Sequence, residues 1–331
     1  MYYKDKINSL KNIFNSDNIE VNAGSIIISG IIYPIIDDVI ILSRPQEYTS
    51  YVKNKLRKNA LSDEKSEIFS EDIQFSFGEE WKKYEEILPE HQKEFHQYFD
   101  IVELNKLESC TVCDLGCGNG RWSYFLKDKC KELILVDFSD AIFVARKNLS
   151  SSPNCIFFMC DLKKIPFKGD FANLIFSLGV LHHLPTDCLQ EVRNLKHFAP
   201  ELLIFLYYAL DNRPAHFRII LSAVTFFRKI FSKLRSPIIR NFVTTCLTFI
   251  IYVPLIYLGK LMKPLNISSQ IPLYDFYKDK SIKRIKQDVY DRFFTGIEQR
   301  VTKKQIEGLS DTFSKVTVSE NLPYWHFICK R

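Results

Sequence analysis

No Asp or Glu occurs between residues 212 and 265, although that stretch carries nine Lys or Arg: Arg213, Arg218, Arg228, Lys229, Lys233, Arg235, Arg240, Lys260 and Lys263. The whole chain of 331 residues has a formal net charge of +6, so the remainder sums to 6 − 9 = −3. The basic surplus therefore belongs to one segment rather than to the surface at large. Cysteine is absent before Cys110, which excludes a zinc–thiolate site in the first third of the chain. The nine cysteines follow no even spacing, and residues 1–20 lack the apolar core of a signal peptide. A reducing, cytoplasmic setting is expected from both absences. Cys110, Cys113 and Cys117 lie close together, but a strand and a Gly-rich turn would send their side chains apart, so no metal is expected. No internal repeat is present. A composition of 46% hydrophobic and 25% charged residues describes a globular chain with one sizeable α/β core and attached elements.

Short β-branched runs at Ser25–Ile28 and 39–42 flank Gly30 and the stretch 33–38, which predicts a small β-hairpin. Residues 53–71 are polar and charged, as in a linker or a solvated helix. From Cys110 onward, apolar runs alternate with helical patterns. Strands are expected at Thr111–Leu115, 133–136, Cys155–Met159, Leu174–Leu178 and 202–208, with closing strands at 315–319 and 325–329. Helices are expected at 121–129, 140–148, 186–197 and 302–309. Such alternation implies parallel βαβ units.

The sequence Asp114-Leu115-Gly116-Cys117-Gly118-Asn119-Gly120 places an acid at a strand end and three glycines at alternate positions before a helix. Glycines there permit a tight turn and close backbone approach to a ligand, and the helix start offers unpaired N–H groups. A dinucleotide fingerprint would need a small residue where this chain has Arg121. Asp137 ends the next strand, where an acid can accept from both ribose hydroxyls of a nucleoside. Asp161 closes the third strand, and Ser177-Leu178-Gly179-Val180-Leu181-His182-His183 follows the fourth. Ligands of open α/β sheets bind beyond the carboxyl ends of the strands, where all these residues fall.

This set resembles the class I S-adenosylmethionine-dependent methyltransferases, in particular the branch related to ubiquinone and menaquinone C-methyltransferases. The resemblance implies a Rossmann-like α/β fold with a mostly parallel seven-stranded sheet and helices on both faces. It also implies S-adenosylmethionine as cofactor, S-adenosylhomocysteine as product, and a small-molecule methyl acceptor. Gly116, Gly118 and the Asp114 environment would hold the methionine part, Asp137 the ribose, Phe138 and Leu162 the adenine faces, and Asp161 the adenine amine, with Cys117, Gly120 and Ser177 also among the cofactor-binding residues. The hairpin resembles half of a zinc-ribbon-like module that precedes some of these enzymes. The usual Lys-Pro-Gly-Gly turn before the fifth strand is replaced by Phe198-Ala199-Pro200-Glu201.

His182 and His183 sit where acceptor and sulfonium would meet; either takes a proton from the acceptor, or the pair shapes the pocket. Phe75 through Tyr84 resembles a Phe-Gly-x-x-Trp segment that covers the cofactor in related enzymes, and an amphipathic core helix is the alternative. Tyr208, Asp291, Arg292 and Glu298 are candidate acceptor-side residues, with ordinary salt bridging the alternative. Residues 242–259 form an uncharged run containing Pro254. Spanning a bilayer would strand the returning strands on its far side, so the run reads as a helical lid or as an element lying on anionic lipid. The resulting division is a hairpin region 1–60, a core 61–211, a basic helical insertion 212–265 and a carboxyl-terminal part of the core 266–331. A nucleic-acid modifier is the rival reading, but no Asn/Asp-Pro-Pro-Tyr segment or RNA-binding module accompanies the basic stretch, so no nucleic-acid partner is expected. A non-catalytic cofactor-binding subunit is the third.

Overall fold

The computed structural model describes residues 1–56, 78, 80–81 and 83–331. The expected linker beyond Leu56, and Phe75–Phe77, Glu79 and Lys82 of the aromatic segment, lie outside the described residues. The chain starts with helix α1 (Ile7–Phe14) and four strands, β1 (Ile19–Asn22), β2 (Ser25–Ile28), β3 (Ile31–Ile36) and β4 (Val39–Ile41). This is a meander rather than the expected hairpin. The runs at 25–28 and 39–41 do not pair with each other; each pairs with β3. The stretch read as a turn is itself β-branched and continues the sheet, while the reversal is confined to Asp37 and Asp38 at φ 47° and 61°. Left-handed geometry at both central residues is what a two-residue hairpin turn requires, and Asp tolerates it. The meander is also no separate unit, because β4 runs parallel to a core strand with Ile40 opposite Phe158.

After α2 (Ser50–Lys55) and α3 (Glu90–Tyr98) comes the alternating core. Strand β5 (Thr111–Leu115) leads to α4 (Arg121–Leu126), β6 (Glu132–Asp137) to α5 (Ala141–Asn148), and β7 (Cys155–Met159) to β8 (Leu174–Leu178). Helix α6 (Cys188–Leu195) then precedes β9 (Glu201–Phe205). Near the end lie β10 (Lys315–Val318) and β11 (His326–Lys330), and β11 inserts antiparallel between β9 and β10. The order β7-β6-β5-β8-β9-β11-β10 supplies the expected seven strands, and the meander extends them to eleven. Leu133, Leu135, Phe157 and Met159 pack into one layer, Ile134, Val136, Ile156 and Phe158 into the other, all fully buried. Alternation with both sets buried means a sheet covered on both faces, as a parallel sheet must be. Strand order reverses between β5 and β8, and the crevice for a ligand opens at that reversal.

Between β9 and the closing strands the chain forms a helical layer. It comprises α7 (Ala215–Phe231), α8 (Pro237–Leu247), a π turn at Thr248–Tyr252, α9 (Val253–Leu261), α10 (Tyr274–Tyr277) and α11 (Ile282–Phe294), with α12 (Lys303–Glu307) leading back to the sheet. The π turn has a local cause. Pro254 has no N–H to give to the carbonyl four residues earlier, so the helix widens ahead of it and continues. Helices α7 and α8 pack on α11, whose Val289, Tyr290 and Phe293 form the centre of a third apolar cluster. A buried ion network ties that layer to the core: Arg284 donates to both Glu94 oxygens at 3.1 Å and also pairs with Asp288. Burial alone would raise the Glu94 carboxyl, yet Arg284 and Lys280 hold it well below the usual carboxylate range.

Because Leu10 of α1 is fully buried in the same layer as Ile134 and Phe158, Leu10→Ala should lower the unfolding free energy by roughly 2–5 kcal/mol. Urea denaturation checks this; a midpoint shift confined to a separate minor transition would show that the amino-terminal meander folds apart from the core.

Candidate active site

The glycine turn has the backbone its ligand-binding role needs. Gly116 and Gly118 are left-handed at φ 82° and 54°. A Cβ at Gly116 would stand 2.6 Å from the Val180 side chain, and one at Gly118 would stand 2.8 Å from the Trp81 ring. Only glycine combines that conformation with that closeness. The Asp137 carboxylate braces the turn from the end of β6. It accepts from Gly118 N–H at 2.9 Å, and from the Ser139 N–H and hydroxyl at 2.9 and 2.7 Å. A carboxylate has about four acceptor positions, and these donors with the Phe138 N–H take up most of them, so holding both ribose hydroxyls requires internal bonds to yield. Burial pushes the Asp137 carboxyl up against the pull of the Ser139 and Gly118 donors.

Around this turn lies a cavity of about 400 Å³, within the size range of small-molecule pockets. Gly116, Cys117, Gly118, Asp137, Phe138, Asp161 and Leu162 line one end, as the sequence places them. Asp161 caps the short turn after β7, accepting from Lys163 N–H at 3.0 Å. Trp81 joins this wall, while Tyr84 of the same segment is buried beside Tyr252 and Tyr290. The segment thus both covers the cavity and packs into the core. Asn119 fastens it by donating to the Tyr84 carbonyl at 3.1 Å.

Five expected site residues do not reach the wall. Asp114 lies behind the turn and accepts from the Ser123 hydroxyl at 2.7 Å, joining β5 to α4. Gly120 packs against Ala145 of α5, where a Cβ would come within 3.1 Å. Ser177 points to the other side of β8 and donates to the Leu115 carbonyl at 2.8 Å. His182 is fully buried, stacked on Tyr207 with ring centres 4.0 Å apart. Burial, then His183 and Arg300, hold its pKa well below the usual histidine value, so it stays neutral and out of reach of an acceptor. Glu298 is buried between Arg300 at 2.8 Å and Arg228 of α7 at 3.2 Å, the salt-bridging alternative.

His183 does line the cavity. Its Nδ1 lies 2.7 Å from the Ile297 carbonyl, which can only accept, so Nδ1 carries the proton and Nε2 the lone pair. Tyr208, Asp291 and Arg292 line it as well. Sequence reasoning missed Tyr207 and gave Glu80 no role. The Tyr207 hydroxyl donates to Asp291 Oδ2 at 2.7 Å. Burial, then the Asp291 carboxylate, push the Glu80 carboxyl well above its usual range, so it is protonated and able to donate. An acid four residues ahead of a buried tyrosine was the only signal for Glu80. Tyr207 had the signal of its strand-end place. The far wall is apolar and comes from the insertion: Phe217, Ile220, Leu221 and Val224 of α7, with Ile251, Tyr252 and Leu255.

A glycine turn braced by a strand-end acid, at the reversal point of a sheet with this strand order, defines a nucleoside-binding Rossmann-like site of the methyltransferase kind. Residues 112–197 match the family described as Methyltransferase domain, so the chain carries a class I methyltransferase domain, which uses S-adenosylmethionine. The chain is 29% identical over 102 residues to the tRNA (carboxymethyluridine(34)-5-O)-methyltransferase alkbh8 of Xenopus tropicalis, covering 29% of this chain and 15% of that protein. It is 25% identical over 111 residues to the probable tRNA methyltransferase 9B of Homo sapiens, covering 32% and 23%. It thus spans less than a quarter of either relative's length. A solved SAM-dependent methyltransferase from Aquifex aeolicus superimposes with a TM-score of 0.33 at 23% identity, covering 37% of this chain and 69% of that one.

The residues present fit the cofactor: Gly116 and Gly118 bring bare backbone to the cavity wall, and Asp137 supplies the acceptor for a nucleoside. Asp137→Ala should weaken S-adenosylhomocysteine binding at least about tenfold, since a charge-assisted hydrogen bond contributes ~1.5–3 kcal/mol; calorimetry reads it, and unchanged affinity would contradict the ribose role. Asp114 gives a second outcome. Burial pushes its carboxyl up to about 8, against the Ser123 hydroxyl, while the unfolded value is about 3.9. A raised folded value means stability fully present below about pH 4 and lost as pH rises to about 8. Asp114→Asn should remove that slope from the urea midpoints of the ligand-free protein measured between pH 5 and 8.

Proposed function

We propose that this chain transfers the methyl group of S-adenosylmethionine to a small, largely apolar acceptor, as in the ubiquinone and menaquinone C-methyltransferase-like branch. One observation carries the reading: a single cavity is lined by the glycine turn at one end and by the aliphatic wall of the insertion at the other. When bound, the cofactor supplies a methyl group on a sulfonium, with a neutral thioether as leaving group. The chain's task is then alignment of the acceptor, which is a proximity effect. Tyr207, Asp291 and protonated Glu80 offer hydrogen bonds to the polar end of that acceptor, and the insertion holds its apolar part. Where the acceptor must lose a proton, His183 Nε2 receives it. A reducing, cytoplasmic setting belongs to this reading, in line with nine cysteines that are all free.

A second reading has one observation in its favour: the curated relatives matched over the core are named for tRNA. An aliphatic cavity wall suits a nucleotide poorly. Incubating the protein with methyl-labelled cofactor and either total tRNA or a lipid extract separates the two. Label in the solvent-extractable fraction is expected; label in RNA alone would replace the first reading by the second. With the acceptor in hand, His183→Ala should lower kcat about 100-fold and leave S-adenosylhomocysteine affinity unchanged. Retained kcat with a raised KM would assign the ring to shaping the pocket instead.

A further inference from the structure

The insertion has two apolar faces, and the cavity uses only one. On the outer side, Ile219, Phe226 and Ile230 of α7, and Phe242, Ile250 and Leu261 of the α8–α9 rod, are each between 48% and 73% exposed. Their spacing of 7 and 4 residues on α7, and of 8 and 11 on the rod, keeps each set on one side of its helix. Soluble proteins seldom leave contiguous apolar stripes in water, and those that do use them for binding. Three of the segment's nine basic residues are engaged inside the fold: Arg213 with Asp275, Arg228 with Glu298, and Arg240 with the Leu234 carbonyl. The other six, Arg218, Lys229, Lys233, Arg235, Lys260 and Lys263, present exposed side chains, and no acidic residue stands between them in the sequence.

We propose that this outer face docks the protein on an anionic lipid surface, with the apolar stripes at the acyl boundary and the basic side chains at the headgroups. Charge complementarity selects that occupant. A second copy of the same face would bring six like charges against six, which opposes self-association. A bilayer rich in anionic lipid attracts each basic residue near it and accepts apolar side chains between the headgroups. Residues 237–261 form the one helix among those described that is long and apolar enough to cross a membrane, with mean hydropathy 1.9. It lies on the surface of the domain instead. Its Arg240, Thr244, Thr248, Tyr252 and Ile256 are buried, and α8 and the π turn pack against α11. The Arg228–Glu298 pair and packing on α11 hold α7 beside the rod, and Arg213–Asp275 fastens the residues just before it.

Docking also deepens the proposed function, and for that part rests on it. Ile220, Leu221 and Val224 face the cavity from α7, and Ile251 and Leu255 face it from the rod. One layer of helix, about 10 Å thick, then separates the apolar end of the cavity from lipid. An acceptor that partitions into the bilayer is the class this arrangement serves.

The test uses the full chain, without acceptor or methyl transfer, so its outcome is independent of the activity. Vesicles of two parts phosphatidylcholine to one part phosphatidylglycerol should sediment the protein at low salt, and pure phosphatidylcholine should not. Lys229→Gln with Lys233→Gln should weaken binding roughly thirtyfold. Phe226→Glu with Ile250→Glu should weaken it more than tenfold while S-adenosylhomocysteine affinity and the melting temperature hold. Absence of sedimentation at low salt would overturn the proposal, as would unchanged binding of the Phe226→Glu, Ile250→Glu protein. Displacement from vesicles by equimolar tRNA would reassign the face to nucleic acid. A dimer in sedimentation equilibrium that the same double variant dissolves, without vesicle binding, would reassign it to a second copy.

Discussion

The hydrogen bond from Gly118 N–H to the Asp137 carboxylate joins the two strands whose ends make the cofactor end of the cavity. It places a charge-bearing group against a turn that has no side chain of its own, so the position of the turn depends on β6 and not on local packing. Everything at that end follows. Trp81 rests where a Cβ of Gly118 would be, Phe138 and Ser139 continue directly from the acid, and Asn119 fastens the upstream segment over the turn. The same bond lowers the cost of burying an acid here: its donors offset part of the loss of water, and burial still leaves the carboxyl raised.

The acceptor end is built by different physics. No backbone turn organises it; a buried ion network does. Arg284 of α11 links that helix to Glu94 of α3 and pairs with Asp288 one turn further on, and Tyr277 donates to Asp288 at 2.9 Å. Paired charges of this kind are costly to bury and costly to break, so they fix one arrangement of the helices against the core. On that frame the insertion lays an aliphatic wall beside Tyr207, Asp291 and Glu80.

Much of this was legible in the sequence, for identifiable reasons. Thr111–Leu115, Cys155–Met159 and Leu174–Leu178 are apolar runs bounded by polar or glycine-containing turns, and the strands begin and end there. Gly116, Gly118, Asp137 and Asp161 follow strand ends, so their spacing alone puts them at the rim. What spacing does not give is the side of the strand. Ser177 and Leu178 are the last two residues of β8, and alternation turns Ser177 inward, where it donates to the Leu115 carbonyl, and leaves Leu178 on the cavity. The paired histidines divide likewise, one to the core and one to the cavity. Glu80 and Tyr207 carried only weak local signals, because their partner, Asp291, comes from a helix far along the chain. The amino-terminal strands were misjudged because Tyr33 and Pro34 resemble a turn, whereas their β-branched neighbours decide the outcome.

The Arg228–Glu298 pair has a mechanical meaning. Glu298 grips the inserted helix α7, while the carbonyl of the preceding residue, Ile297, accepts a hydrogen bond from His183 Nδ1–H. Two consecutive residues therefore connect the outermost layer of the molecule to a ring at the reaction chamber. The inserted helix and the cavity-lining ring are thus anchored on one short stretch of backbone, which fixes the position of each against the other.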